Sequence, residues 1–436
     1  MSLKFFALQG LRRDRRFAAV GVFMAYVLTR IVSNEFRGWP KTKKAAQSLR
    51  SRYDLKSDTA QGMSTKRILI IHEDRLLTTL YREKLEASGF AVETVRTLDQ
   101  VPKSMESKRP DLVLIDIVLR EGGTNEFIKT LRQEGSTLEL PVLVLPTNLT
   151  HLASEAMQSG ATKVISGGLN PLGMMLDTVK VSLGMPGLGT AMDAPLFQAD
   201  ESWLSMVFAS APEALNQMRH CLPGLLSQPP DLAVLRMFWT LAHNFADRAA
   251  MLQNKALYRM ASALDVLLAD LNDIPEQLNA STLRTLGQAI DFLGVLAEPE
   301  KLALVDEPAT SRILVIDDEA TAREFISSAM QMAGLRNEEA ATPSEALQKL
   351  DGKDCDLIFL DVGLPEMNGF ELCTRIRGLE AHKSTPIVFL TGMATFQNRA
   401  QASLSGGNDF VGKPFNLPEL GVKALIWILR HQLRLS

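Results

Sequence analysis

Cysteine is scarce in this chain. Cys221, Cys355 and Cys373 are the only three in 436 residues. They are odd in number and form no C-x-x-C or Cys/His pair at ligand spacing, which excludes a disulfide framework and a zinc site and points to a reducing, cytoplasmic compartment. Long apolar runs are missing too. The longest membrane-like stretch, Phe17 to Thr29, has 13 residues, against about 20 for a helix that crosses a bilayer core. Nor does one sign of charge prevail: 47 basic side chains face 50 acidic ones, for a net charge of -3. That balance excludes a chain built as an electrostatic trap for polyanions, and no nucleic-acid partner is expected. With 46% hydrophobic residues the chain is not disordered throughout, and at roughly 100 to 200 residues per domain it holds two to four domains.

The charge is unevenly spread. Residues 1–62 carry 13 basic and 4 acidic side chains, so this stretch is +9 and the rest is -12. Arg12, Arg13, Arg15 and Arg16 precede the apolar stretch, and a polar, Lys-rich linker runs from Lys41 to Thr65. Two readings stay open. Residues 12–32 form an interfacial or short membrane anchor that attaches the protein to the inner face of the cell membrane, or the native chain starts at Met63, just before the first strand.

A repeat organises the rest of the chain. Arg67-Ile-Leu-Ile-Ile-His-Glu-Asp aligns with Arg312-Ile-Leu-Val-Ile-Asp-Asp-Glu, Asp111-Leu-Val-Leu-Ile-Asp with Asp356-Leu-Ile-Phe-Leu-Asp, and Pro141-Val-Leu-Val-Leu with Pro386-Ile-Val-Phe-Leu, all at an offset of 245. Short aliphatic runs without polar alternation read as strands buried on both faces of a parallel sheet, with helices as crossovers. Helical spacing fits Ala320 to Ala333, Pro343 to Leu350, Phe370 to Leu379 and Pro418 to Leu433. Each copy is then a doubly wound, flavodoxin-like (βα)5 unit, whose ligands sit beyond the carboxyl ends of the strands.

In the second copy the polar residues fall at those ends. Asp317 and Asp318 close the first strand, Asp361 the third and Thr391 the fourth, and Lys413 comes after the fifth. Clustered carboxylates repel and call for a cation, and an oxygen-rich, incompletely filled ligand set suits Mg2+. A carboxylate can attack a phosphoryl group, and Asp361 is the candidate nucleophile, with Lys413 and Thr391 sharing the charge on the phosphoryl oxygens. Asp361-Val-Gly-Leu-Pro-Glu-Met-Asn-Gly, with the Asp-Asp, Thr and Lys-Pro elements in order, resembles a receiver domain of two-component response regulators. The resemblance implies Mg2+ ligation by Asp318, Asp361 and the Gly363 carbonyl, with Asp317 acting partly through water. It also implies a cis Lys413-Pro414 peptide and an aromatic switch at Phe410, coupled to Thr391.

The first copy keeps Asp116 at the nucleophile position but has His72-Glu73 where the second has Asp317-Asp318. Pro146 stands for Thr391 and Ser166 for Lys413. Losing one acid, the hydroxyl and the ammonium removes charge compensation and phosphoryl clamping. This copy is expected to be a degenerate pseudo-receiver.

Between the copies, after the connector Met185 to Ala194, helical periodicity runs from Ser202 to Ala297, with Pro229-Pro230 and Asp273-Ile-Pro275 in loops and Ser281 as an N-cap. About four antiparallel helices are expected. Phe238, Ala242, Phe245, Ala249 and Leu252 make one apolar stripe, which turns His243 toward solvent. Leu241-Ala-His243 with its flanking pattern resembles a histidine phosphotransfer (HPt) domain. Where that family has Lys and Gly three and four residues after the histidine, Ala246 and Asp247 stand here. A carboxylate in that position disfavours a phosphohistidine.

The domain order predicted is thus a basic extension (1–62), a degenerate receiver (66–184), an HPt-like bundle (197–300) and an intact receiver (311–436). The expected function is two-component signalling without enzymatic turnover. Asp361 takes phosphate from a sensor histidine kinase or an HPt protein, and protein contacts carry the output to a downstream target. A phosphate-independent scaffold that holds kinases or other receivers is the alternative. A hydrolase of the phospho-aspartate class ranks far lower, because Gly363 stands where its second acid belongs.

Overall fold

The computed structural model describes residues 65–147, 149–166, 171–186, 201–227, 229–252, 254–305, 308–365, 367–392 and 404–435. The basic extension, the anchor and Met63 start readings, and most of the Met185 to Ala194 connector lie outside the described residues, as do the side chains of Pro146 and Ser166. Among the described residues no helix is long and apolar enough to cross a membrane. The described residues lie within one compact unit, Thr65–Ser436.

The amino-terminal receiver-like fold alternates β1 (Arg67–Ile71), α1 (Arg75–Ala87), β2 (Ala91–Val95), α2 (Val101–Ser107), β3 (Leu112–Ile115), α3 (Thr124–Gln133), β4 (Val142–Thr147), α4 (Thr150–Gln158), β5 (Lys163–Ser166) and α5 (Pro171–Ser182). Four helices come next: α6 (Glu201–Leu225), α7 (Leu232–Met251), α8 (Lys255–Asp273) and α9 (Ala280–Leu296), with a one-turn helix α10 (Pro299–Leu302) behind them. The second α/β fold contains β6 (Ile313–Ile316), α11 (Ala320–Met332), β7 (Asn337–Ala340), α12 (Pro343–Leu350), β8 (Leu357–Asp361), α13 (Gly369–Gly378), β9 (Ile387–Thr391), β10 (Asp409–Gly412) and α14 (Leu417–Gln432).

Both sheets are parallel and five-stranded, ordered β2-β1-β3-β4-β5 and β7-β6-β8-β9-β10. The order reverses beside the first strand of each, which opens a crevice at the carboxyl ends of β1 and β3, or of β6 and β8. Strands β3, β6, β8 and β9 are buried along their whole length, as aliphatic runs without alternation require. The pairing Asp361↔Leu390 and Gly412↔Thr391 brings the chemistry-bearing ends of β8, β9 and β10 to one edge.

Helix starts obey their caps. Asp231 caps α7 and Asn254 caps α8 through side-chain bonds to backbone amides. The cap of α9 is Asn279 in a capping box with Thr282, which corrects the assignment to Ser281. The Ser281 hydroxyl instead donates to Glu419 Oε1 of α14 at 2.7 Å.

Helix α14 accounts for the joining of the second receiver to the bundle. All residues from Glu419 to Leu429 are buried, the charged Glu419 and Lys423 included, so the helix is covered on every side. One side covers its own sheet and α11, where a Cβ on Gly421 would lie 3.1 Å from Ala333 Cβ. The other packs on α8 and α9, and a single apolar cluster runs from the first sheet through the bundle into the second.

Candidate functional site

Asp317 and Asp361 meet at the carboxyl edge of the second sheet, 1% and 6% exposed. Lys413 joins them, its Nζ donating to Asp317 Oδ2 at 2.7 Å and lying 2.7 Å from Asp361 Oδ1. Backbone amides hold the remaining oxygens. Glu319 N–H donates to Asp317 Oδ1 at 2.9 Å, and Gly363 N–H to Asp361 Oδ2 at 2.6 Å. Burial pushes the Asp317 carboxyl up, an effect that the Lys413 and Glu319 hydrogen bonds only partly offset. For Lys413, burial acts downward but is outweighed by its bonds to Asp317 and Asp361, and the ammonium is held above its usual value. The ammonium thus bridges two buried carboxylates, offsetting part of the cost of their burial.

The loop geometry depends on one glycine. A Cβ on Gly369 would lie 2.2 Å from the Asp361 carbonyl oxygen, so the chain after Asp361 can fold back only without a side chain there. Gly369 N–H donates to Val362 O at 3.1 Å, and Asn368 caps α13. On the opposite wall Thr391 is 5% exposed, Lys413 N–H donates to Thr391 O at 2.7 Å, and the Lys413-Pro414 peptide is cis as expected.

The three acids do not gather into one cluster. Asp318 is exposed, and among the described residues no set of three His, Cys, Asp or Glu is arranged to hold a metal. Two carboxylates and the Gly363 carbonyl are hard oxygen donors of the type Mg2+ takes, and an open set fits an ion that retains water and phosphoryl oxygens. The residues present therefore fit Mg2+ in kind.

Phe410 is half-buried on β10, with Arg284 Cζ of α9 4.0 Å from its ring centre and the Arg284 guanidinium donating to its carbonyl at 2.9 Å. Next to it Asp409, 8% exposed, accepts from Lys423, which is 0% exposed. Lys423 also donates to Gln288 Oε1 at 2.6 Å. This polar network between β10, α14 and α9 left no mark in the sequence, since its members are up to 139 positions apart.

The edge of the first sheet is arranged differently. Asp116 is 2% exposed and accepts from Val118 N–H at 3.0 Å. His72 stands 3.6 Å from one of its oxygens. Glu73 turns aside to Arg120, with 2.6 Å to the Arg120 amide and 3.1 Å to its Nε. Burial of Asp116 opposes its ionisation, but the His72 and His243 rings and the Val118 amide outweigh it and hold the carboxyl below its usual range.

His243 does not face solvent. It is 1% exposed, with Nδ1 2.9 Å from Asp265 Oδ2 on α8 and Nε2 3.5 Å from Asp116 Oδ1. The helical-wheel expectation fails for a physical reason. It placed the ring correctly off the stripe that includes Phe238 and Phe245, but a second surface, the first receiver, covers that side of α7. Of the other histidines, His382 is a core residue bonded to Thr385 and Leu350, and His151 lies 3.4 Å from Asp273 of α8.

Comparison with known proteins shows what the two α/β folds are similar to. The family described as response regulator receiver domain matches residues 68–172 and 313–424. The transcriptional regulatory protein ResD of Bacillus subtilis (strain 168) is 36% identical over 124 residues, covering 28% of this chain and 50% of that protein. The phosphate regulon transcriptional regulatory protein PhoB of Pseudomonas aeruginosa is 38% identical over 119 residues, covering 27% and 52%. The chain spans about half the length of these curated relatives. Among solved structures, the chemotaxis response regulator CheY4 of Vibrio cholerae is 34% identical over 27% of this chain and 98% of its own, with a TM-score of 0.26. The chain carries two response regulator receiver domains, separated by a helical region.

Proposed function

We propose that this protein is a two-component signalling regulator in which Asp361 accepts a phosphoryl group from a sensor histidine kinase or a phosphotransfer protein. The observation that carries this reading is the Lys413 ammonium 2.7 Å from both Asp317 and Asp361 at the open edge of the sheet. An Asp361 carboxylate oxygen forms the new O–P bond while the donor's N–P bond breaks, and the departing imidazole takes its proton from solvent. Lys413 stays fully charged and moves from Asp361 to the arriving phosphoryl oxygens, the Thr391 hydroxyl takes another, and Asp317 keeps the lysine aimed. Asp317, Asp361 and the Gly363 carbonyl would hold Mg2+, which would supply the remaining charge neutralisation.

Asp116 is a poor acceptor by the same criteria, because among the described residues no lysine bridges it to a second acid as Lys413 does, and His243 closes its approach. The first copy therefore acts as a pseudo-receiver. The output passes through protein contacts, and the β10–α14 surface already engages α8 and α9 of the chain itself. The scaffold reading has one observation in its favour: the bundle packs on both receivers through its own side chains. A Lys413→Met variant decides between them. Under the signalling reading, phosphate uptake from a small acyl phosphate with Mg2+ falls at least about a hundredfold. Unchanged uptake contradicts the assigned site.

A further inference from the structure

We propose that the edge of the first receiver's sheet is a socket for a positively charged imidazole, and that His243 of the bundle fills it as a charge lock. The receiver then serves as a cap on the bundle.

The geometry assigns the charge. Both ring nitrogens of His243 face carboxylates, Nδ1 toward Asp265 at 2.9 Å and Nε2 toward Asp116 at 3.5 Å. Nε2 makes no hydrogen bond; protonated, it meets the Asp116 carboxylate as an opposite charge, whereas unprotonated it would turn a lone pair on an acid. Asp265 is itself fixed, since Trp239 Nε1 donates to its other oxygen at 3.0 Å. The Asp265 pair turns the ring so that Nε2 emerges from the bundle toward β3.

A second ion pair flanks the first. Arg248, one turn along α7, donates to Asp74, the N-cap of α1, and to Ser210 Oγ of α6 at 3.2 Å. Arg236, two turns in the other direction, lies against Gly122 in the loop after β3, where an added Cβ would come within 2.8 Å of its guanidinium. The loop that opens the way to a phosphoryl donor in the second copy is here seated on a helix.

The charged groups acting on His243 are Asp265 from α8, Asp247 from α7 and Asp116 after β3; around Asp116 stand His72 at 3.6 Å and, against the His72 ring, Tyr81 of α1, and Arg248 is taken up by Asp74. Burial works against a charged ring, but Asp265, Asp247 and Asp116 outweigh it and raise His243 well above its ordinary value. The replacement of a strand-end acid by His72 fits a socket that takes an organic cation in place of a divalent one.

The test uses the full chain with Asp116→Asn, His243→Gln and the double variant. Two readouts apply: ring 15N resonances at pH 7, and amide exchange in residues 117–123. Expected are a doubly protonated His243 ring, a loss of protection of about a hundredfold in each single variant, and little further loss in the double variant. A neutral ring at pH 7, or strictly additive losses, overturns the proposal. If His243→Gln does not fold, the titration midpoint of His243 in Asp116→Asn decides: a fall supports the lock, and an unchanged midpoint refutes it.

Discussion

Replacing Lys423 by Met tests how the second receiver is held on the bundle. Lys423 is 0% exposed on α14 and donates to Asp409, itself 8% exposed, and to Gln288 of α9. Removing one partner of a buried ion pair leaves the other charge uncompensated, at a cost of about 3–5 kcal/mol. Asp409 retains Trp427 Nε1 at 3.3 Å and Arg284 Nε at 3.7 Å, which places Lys423→Met at the lower end, about 3 kcal/mol. Methionine fills the space of the lysine stem, so the loss is electrostatic rather than a cavity. At about 1.4 kcal/mol per tenfold change, amides of α14 that exchange by opening this contact speed up by about a hundredfold. Adding Asp409→Asn removes the stranded charge and returns protection to within about tenfold of the original. Native-state hydrogen exchange on the full chain measures both. Single-variant exchange within fivefold of the parent, or a double variant worse than the single, refutes the reasoning.

The contact between the first receiver and the bundle weakens as pH rises. His243 has a raised folded pKa, so its contribution is full below 6.5 and is lost as pH climbs through the folded value. Burial, partly offset by His243, pushes Asp247 up to about 8, so the folded chain holds a proton that the unfolded chain releases near 4, and stability falls between those limits. Asp247→Asn should therefore reduce the loss between about pH 4 and pH 8 in a pH series of thermal melts, and an unchanged profile speaks against it. Gly369→Ala drives a methyl group into the Asp361 carbonyl. It should lower the melting temperature and suppress phosphate uptake together, whereas normal uptake shows that the loop can open another way. Arg284→Ala should raise exchange in β10 without altering uptake at Asp361.

Strand positions and the acids at their ends were legible because a parallel sheet imposes continuous aliphatic runs and the copies share one offset. Asp317, Asp361 and Thr391 could be placed from that alone, whereas Lys413 lies beyond the runs that share the offset. Asp318 could not, since its exposure is decided by the loop rather than the strand. The burial of His243 was also hidden: a helical wheel finds the face turned from its own core, but not whether another domain covers it. Lys423 and Asp409 belong to no motif, and their pairing appears only in the packing of α14. The N-cap shift from Ser281 to Asn279 reflects two residues of similar capping strength standing two positions apart, with Ser281 taken up by Glu419.

The most direct measurement is the position of the phosphoryl group after the full chain is incubated with Mg2+ and a small acyl phosphate, read by reductive trapping and mass spectrometry of peptides. One group on Asp361, none on Asp116 or His243, and none anywhere in Asp361→Ala is the result required. Label on Asp116, or none on Asp361 at saturating Mg2+, contradicts the account.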